Sequence, residues 1–340
     1  MKTSVEYPAA KPRALKRSLA PTGVQRQPRR ATITRILVPI DFSRGSLKAI
    51  PYALAISRRF GAPIHFLHVV DTTQYLPPTL LTLPLVPQSE LNRRLLKRLQ
   101  AVALKFPASG KIEVHIPREG RASKEICAAA RELKTDLIVI ATHGYTGYKR
   151  TFLGSTAERV VQHSPCPVLV VRQRHPALIG ANGQATRTGF RLRKILIPVD
   201  FSECSRAAFD CGLAIARDLR AGLTLLYVVN PHCYPFGDEY AALDASRLMA
   251  AARDSSRKQM REMAKKTNLR CSVEVRQGSP AREICEYANE DVDLIIISTH
   301  GRSGLSHALI GSTAERVVRY ASCPVLVVPA RRKAASKLTN

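Results

Sequence analysis

Two long stretches of this chain repeat each other, and that duplication limits the fold more than any other feature. ITRILVPIDFS at 33–43 returns as LRKILIPVDFS at 192–202, so Asp41 and Asp200 stand 159 residues apart. ATHGYTGYKRTFLGSTAERV at 141–160 returns as STHGRSGLSHALIGSTAERV at 298–317. The segments GSTAERVV and CPVLVV are identical in both halves. A period this long exceeds any solenoid unit and describes two whole domains of one kind. We place them at 33–172 and 193–329, with a basic tail over 1–32, a linker over 173–192 and a second basic tail over 330–340.

Each half reads alike. A buried apolar strand (36–40; 195–199) ends at Asp-Phe-Ser, where Ser43 or Ser202 can cap a helix. In the first half that helix puts Leu47, Ile50 and Leu54 on one face, and Pro51 inside it predicts a kink; the second half has Asp210 instead. A second buried strand follows (64–70; 223–229). Leu91, Leu95, Leu99, Val102 and Phe106 then fall at helical spacing. The third strand alternates, with Ile112, Val114 and Ile116 in one half and Cys271, Val273 and Val275 in the other, as beside a sheet edge. After a short helix the fourth strand, DLIVI or DLIII, runs into the glycine loop, and CPVLVV is the fifth. Strands alternating with helices predict an α/β fold with a parallel sheet covered on both faces, doubly wound through right-handed crossovers. Its ligand crevice lies at the carboxyl ends of the strands where the winding reverses. If strands one and four are neighbours there, the Asp and the glycine loop face one crevice.

The loop carries the chemistry. Neither G-x-G-x-x-G nor G-x-x-x-x-G-K-[ST] is present, which excludes a dinucleotide fingerprint and a Walker-type loop. The shared pattern is T-H-G-x9-G-S-T. Gly154 and Gly311 precede the closing helix, so the backbone there can approach a phosphate, with Ser155, Thr156, Ser312 and Thr313 as donors at the helix start. A plain helix cap explains the same residues. Asp41 and Asp200 can bond ribose hydroxyls or adenine-edge donors, or close an Asp-Phe-Ser turn. His143 and His300 precede the loop glycine without an orienting partner or nucleophile at a useful spacing, so loop packing is expected of them. No paired carboxylates, Ser/His/Asp arrangement or metal-ligand cluster is visible, and no catalytic residue or metal site is expected.

These motifs together, VP-[IV]-DFS, H-V-V or Y-V-V closing the second strand, T-H-G-x9-G-S-T-A-E-R-V-V and C-P-V-L-V-V, resemble the universal stress protein family, and in particular its tandem members. The resemblance covers about 33–172 and 193–329. It implies a five-stranded parallel sheet of order 3-2-1-4-5 in each half, related to adenine-nucleotide-binding folds. It also implies pairing of the halves through their last strands into an internal pseudo-dimer. One branch of the family binds ATP through a G-x-x-G-x9-G-[ST] loop. Carried over, phosphate contacts fall on Gly144, Gly154 and Ser155, and on Gly301, Gly311 and Ser312, with adenosine contacts on Pro39, Asp41 and Val69, and on Pro198, Asp200 and Val228. The family's first loop glycine is Ala141 here and Ser298 in the second half. If that position requires positive φ or close phosphate approach, the substitution weakens binding by about 1 kcal/mol or more.

The function so implied is a stress-response module binding adenine nucleotide, with ATP and its Mg2+ as the expected cofactor and signalling or regulation as the role. A nucleotide-free interaction scaffold and a slow ATPase are the alternatives.

Composition bounds the partners. The 340 residues are 45% hydrophobic and 23% charged, as in a soluble globular protein, and no apolar run reaches the roughly 18 residues of a membrane span. Of the net charge of +27, 18 units lie in residues 1–35, 172–194 and 330–340, which take in the tails and the linker. A solvated tail is the simple reading, with a tether to nucleic acid or anionic lipid as the alternative. The eight cysteines form no CxxC pair; Cys127 with Cys285, and Cys166 with Cys323, match between halves as small packing residues in a reducing, cytoplasmic setting. The tandem chain is a candidate homodimer.

Overall fold

A computed structural model describes residues 33–71, 87–106, 111–142, 154–172, 192–231, 239–301 and 310–330, with the backbone path alone for 239–245. The first half runs β1 (Ile36–Pro39), α1 (Ala49–Phe60), β2 (Ile64–Leu67), β3 (Val69–Val70), α2 (Gln88–Leu104), β4 (Ile112–Val114), β5 (Arg118–Glu119), α3 (Ala122–Glu132), β6 (Leu137–Ala141), α4 (Ser155–His163) and β7 (Val168–Val171). The second runs β8 (Lys194–Pro198), α5 (Glu203–Leu219), β9 (Gly222–Val229), α6 (Glu239–Lys265), β10 (Cys271–Gln277), α7 (Pro280–Ala288), β11 (Leu294–Ser298), α8 (Ser312–Tyr320) and β12 (Val325–Val328). Among the described residues, no helix is long and apolar enough to cross a membrane.

The central strands are runs of branched residues buried on both faces. Ile36 and Val38 of β1 face one apolar layer with α1, α2, α5 and α6, while Leu37 faces the other with α3, α4, α7 and α8. Ten strands form one sheet, in the order β10-β9-β8-β11-β12-β7-β6-β1-β2-β4. Each half therefore has the order 3-2-1-4-5, with its strands parallel. The halves join through β7 and β12, which pair antiparallel with Leu169 opposite Leu326 and Val170 opposite Val325. Because CPVLVV is the same in both, this seam is a self-complementary two-fold contact within one chain. Leu169 and Leu326 are each 4% exposed, a burial worth roughly 1.5–3 kcal/mol per side chain.

The expected kink at Pro51 takes another form. The segment that is one helix from Glu203 in the second half is here a 3-10 turn (Ser46–Lys48) followed by α1. Pro51 is thereby the third residue of α1, in the first turn, where a missing N–H costs little. Ser43 Oγ accepts from Ser46 N–H at 3.0 Å, and Ser202 Oγ caps α5 by accepting from Ser205 N–H at 3.1 Å.

The second strand also differs from expectation in the first half. Instead of running unbroken over 64–70 it divides at His68, and β3 pairs with β5 in a separate two-stranded ladder. Register supplies the reason. Phe66 to Val69 is three steps, but their partners Val114 and Arg118 are four apart. In the second half Leu225 to Val228 and Val273 to Arg276 are three each. The extra residue makes a bulge over His115–Pro117, where Pro117 has no N–H for the ladder and Ile116 is pushed out to 67% exposure.

Candidate functional site

β1 pairs with β2 on one side and β6 on the other, and β8 likewise with β9 and β11, so the winding reverses beside the Asp-Phe-Ser turns. In each turn the Asp Oδ1 accepts the Ser backbone N–H, at 2.9 Å for Asp41 and Ser43 and 3.0 Å for Asp200 and Ser202. Ser202 Oγ also donates to Asp200 Oδ1, at 2.6 Å. The intervening Phe42 and Phe201 have φ of 62° and 65°, a left-handed conformation costing about 1–2 kcal/mol for a bulky residue. Ring contacts offset that cost: Phe42 packs on His68 at 4.7 Å between centroids, and Phe201 on Tyr227 at 5.2 Å. One carboxylate oxygen thus closes the turn.

The other oxygen of Asp200 points at the loop. A Cβ placed on Gly301 would lie 2.6 Å from Asp200 Oδ2, so only glycine allows the loop backbone to rest against this carboxylate. The end of strand one and the start of the glycine loop therefore meet in one crevice of the second half. In the first half the corresponding Gly144, with His143, lies outside the described residues.

The far end of each loop is tied to its beginning. Gly154 N–H donates to the Thr142 carbonyl at 2.8 Å, and Gly311 N–H to the Thr299 carbonyl at 2.7 Å. A Cβ on Gly154 would come within 2.7 Å of Thr142 O, and one on Gly311 within 3.3 Å of Thr299 O. These glycines have a packing reason to be glycine, and their φ of −59° and −61° is open to any residue. No side chain caps α4 or α8. Ser155 and Ser312 are exposed, Thr156 and Thr313 half-buried, at helix starts whose first N–H groups have no intrahelical acceptor.

Pro39 and Pro198 end their strands, and the half-buried Val69 and Val228 pack against the layer shared by α3 and α7. Ala141 and Ser298 end β6 and β11, and neither has positive φ. The strain anticipated from the missing glycine does not arise. Ser298 Oγ donates to the His300 carbonyl at 2.8 Å, while His300 Nδ1 and the Thr299 hydroxyl lie 2.9 Å apart. His300 is thus a packed loop residue.

Three groups at the crevices were not among the expected site residues. Arg98 of α2 lays its guanidinium over the Phe42 ring at 4.2 Å, bringing a cation to the first crevice. His68 Nδ1 lies 2.7 Å from the Ile40 carbonyl, and burial holds its pKa below the usual 6.5 against the raising influence of that bond and of Asp41. Tyr227 takes the His68 position in the second half. Fold contacts bring Arg98 and His68 together on Phe42, and put Tyr227 on Phe201 in the second half. The cysteines behave as packing residues: Cys127, Cys166 and Cys323 are buried, and burial pushes the Cys127 thiol to about 11 and Cys323 to about 12.

The sequence model of the universal stress protein family matches residues 32–172 and again 191–329. A universal stress protein of Mycolicibacterium smegmatis is 26% identical over 320 residues, covering 88% of this chain and 99% of its own length. One from Methanocaldococcus jannaschii is 34% identical over 145 residues, 42% of this chain and 84% of its own. Among solved structures, a universal stress protein from Archaeoglobus fulgidus aligns with a TM-score of 0.63 at 22% identity, over 88% of this chain and 97% of that one, a likeness of fold.

Proposed function

The chain belongs to the universal stress protein family, in tandem form, and from that premise we propose that it is an adenine-nucleotide-binding module in which ATP, with Mg2+ on its phosphates, acts as a regulatory ligand. Asp41 and Asp200 would take the ribose, and Pro39, Val69, Pro198 and Val228 would flank the adenosine. The phosphates would sit at the starts of α4 and α8, against Gly144, Gly154, Ser155 and Thr156 in one half and Gly301, Gly311, Ser312 and Thr313 in the other. The observation that supports this most is the contact of Asp200 Oδ2 with the Gly301 backbone, which sets a sugar-binding acid beside a phosphate-type loop. His300, turned into Thr299, is spent on loop packing, so the reading is of binding and not of turnover.

The close fit of Gly154 and Gly311 on the Thr142 and Thr299 carbonyls favours a second reading, a nucleotide-free scaffold whose loops are kept for packing. Substituting those glycines would disturb both readings alike. The discriminating variants are Asp41→Asn and Asp200→Asn, which keep the Oδ1 acceptor of the turn and remove the charge. Denaturing the purified protein and weighing the released nucleotide is expected to yield adenine nucleotide, reduced in the double variant. Recovery of none, with no thermal shift at millimolar ATP, would establish the scaffold reading instead.

A further inference from the structure

The bulged edge of the first half assembles a group that no linear spacing reveals. Glu113 lies opposite His65 in the β2–β4 register, and His115, two residues on, joins them. His65 Nδ1 lies 2.9 Å from His115 Nε2 and 3.3 Å from Glu113 Oε2. One donor atom from each residue can be chosen so that all three lie within 4.8 Å of one another. Donors around a tetrahedral zinc, with bonds of about 2.0–2.1 Å, stand about 3.3 Å apart. The present spacing approaches that without movement of the backbone.

Glu113 brings only lone pairs, and with both rings neutral a single proton is available for the contact between Nδ1 and Nε2. His65 is 5% exposed, and its Nε2 has no hydrogen-bond partner among the described residues, so Nδ1 is the nitrogen that holds the ring. Lys111 Nζ binds Glu113 Oε1 at 2.9 Å and leaves Oε2 turned to the histidines. Three lone-pair donors thus converge at one point of the sheet edge.

We propose that His65, Glu113 and His115 bind one divalent transition-metal ion, of the zinc class, at the outer edge of the first-half sheet. Two imidazoles and one carboxylate form the donor set preferred by Zn2+ and its neighbours over Mg2+ or Ca2+. Three protein ligands leave a fourth position for water on the side of the edge strand. The ion would clamp β4 to β2 where the bulge interrupts the ladder. The second half supplies the contrast: the residues paired at the His65–Glu113 register are Thr224 and Ser272, whose hydroxyls share one hydrogen bond at 2.9 Å.

That pair also supplies the test. Full-length protein stripped with a chelator and titrated with ZnCl2 by calorimetry is expected to bind one ion per chain at this site and to gain thermal stability. His115→Ala and Glu113→Gln should each weaken binding at least about tenfold. The double variant His65→Thr with Glu113→Ser, copied from a register that the second half folds with, should lose the site and the thermal gain while keeping the far-ultraviolet spectrum of the parent. His163→Ala, far along α4, should bind as the parent does. No zinc uptake by the parent, or uptake unchanged in the Thr/Ser variant, would overturn the assignment.

Discussion

In the second half β9 runs unbroken from Gly222 to Val229 along β10, and α5 is one capped helix from Glu203 to Leu219. In the first half the same path breaks at His68, the partner strand bulges at Pro117, and the helix begins with a 3-10 turn before Pro51. The six strands at the middle of the sheet show no such divergence: β1 and β8, β6 and β11, and β7 and β12 keep the same neighbours, and the last pair shares one sequence. A strand with two neighbours loses two ladders if a residue is inserted; an edge strand loses one. Variation has gone where it costs a single ladder, and the candidate metal triad stands at that place.

The seam offers the largest test of this likeness. Leu169→Ala and Leu326→Ala should each cost about 4 kcal/mol in urea unfolding. Because the two side chains face each other, the double variant should fall short of the sum. Unequal single effects would show that the two-fold is broken at its centre. Next in size is the helix after the first strand. Asp210→Pro places proline in the eighth position of α5 and should cost about 3 kcal/mol, whereas Pro51→Ala should change stability by under about 1 kcal/mol. A large effect of Pro51→Ala would mean that the 3-10 turn depends on it.

The smallest effect concerns acid. His68 has its folded pKa held below 6.5 by burial, so its neutral form is favoured in the fold. Its contribution is present above about pH 6.5 and is lost as pH falls from there through the folded value. Amide protection factors, corrected for the intrinsic pH dependence of exchange, should therefore fall below pH 6.5 more in β2 and β3 than in β9, where Tyr227 takes its place. His68→Tyr should narrow that difference; an unchanged gap would remove His68 as its source.

Much of this was legible. The duplication gave two domains, the branched runs the inner strands, and the identical CPVLVV segments, read through the family resemblance, their mutual pairing. Asp200 and Gly301 were expected in one crevice and meet there. The metal triad was not legible, because His65 and Glu113 become neighbours only through a register 48 residues apart, and register does not show in composition or periodicity. The one visible sign was Glu113 and His115 two apart on an alternating strand. At Ala141 and Ser298 the family's loop glycine suggested a need for positive φ or for close phosphate approach, and the ordinary strand geometry of both residues removes the first of these.

The antiparallel seam has a consequence for what the protein can touch. Since β7 and β12 run in opposite directions, the carboxyl ends of the strands in one half lie at the same rim of the sheet as the amino ends in the other. The two mouths open back to back. A rigid body seated over one rim does not rest on the other, and between the strands that flank the two crevices, β6 with β1 and β11 with β8, stand only β7 and β12.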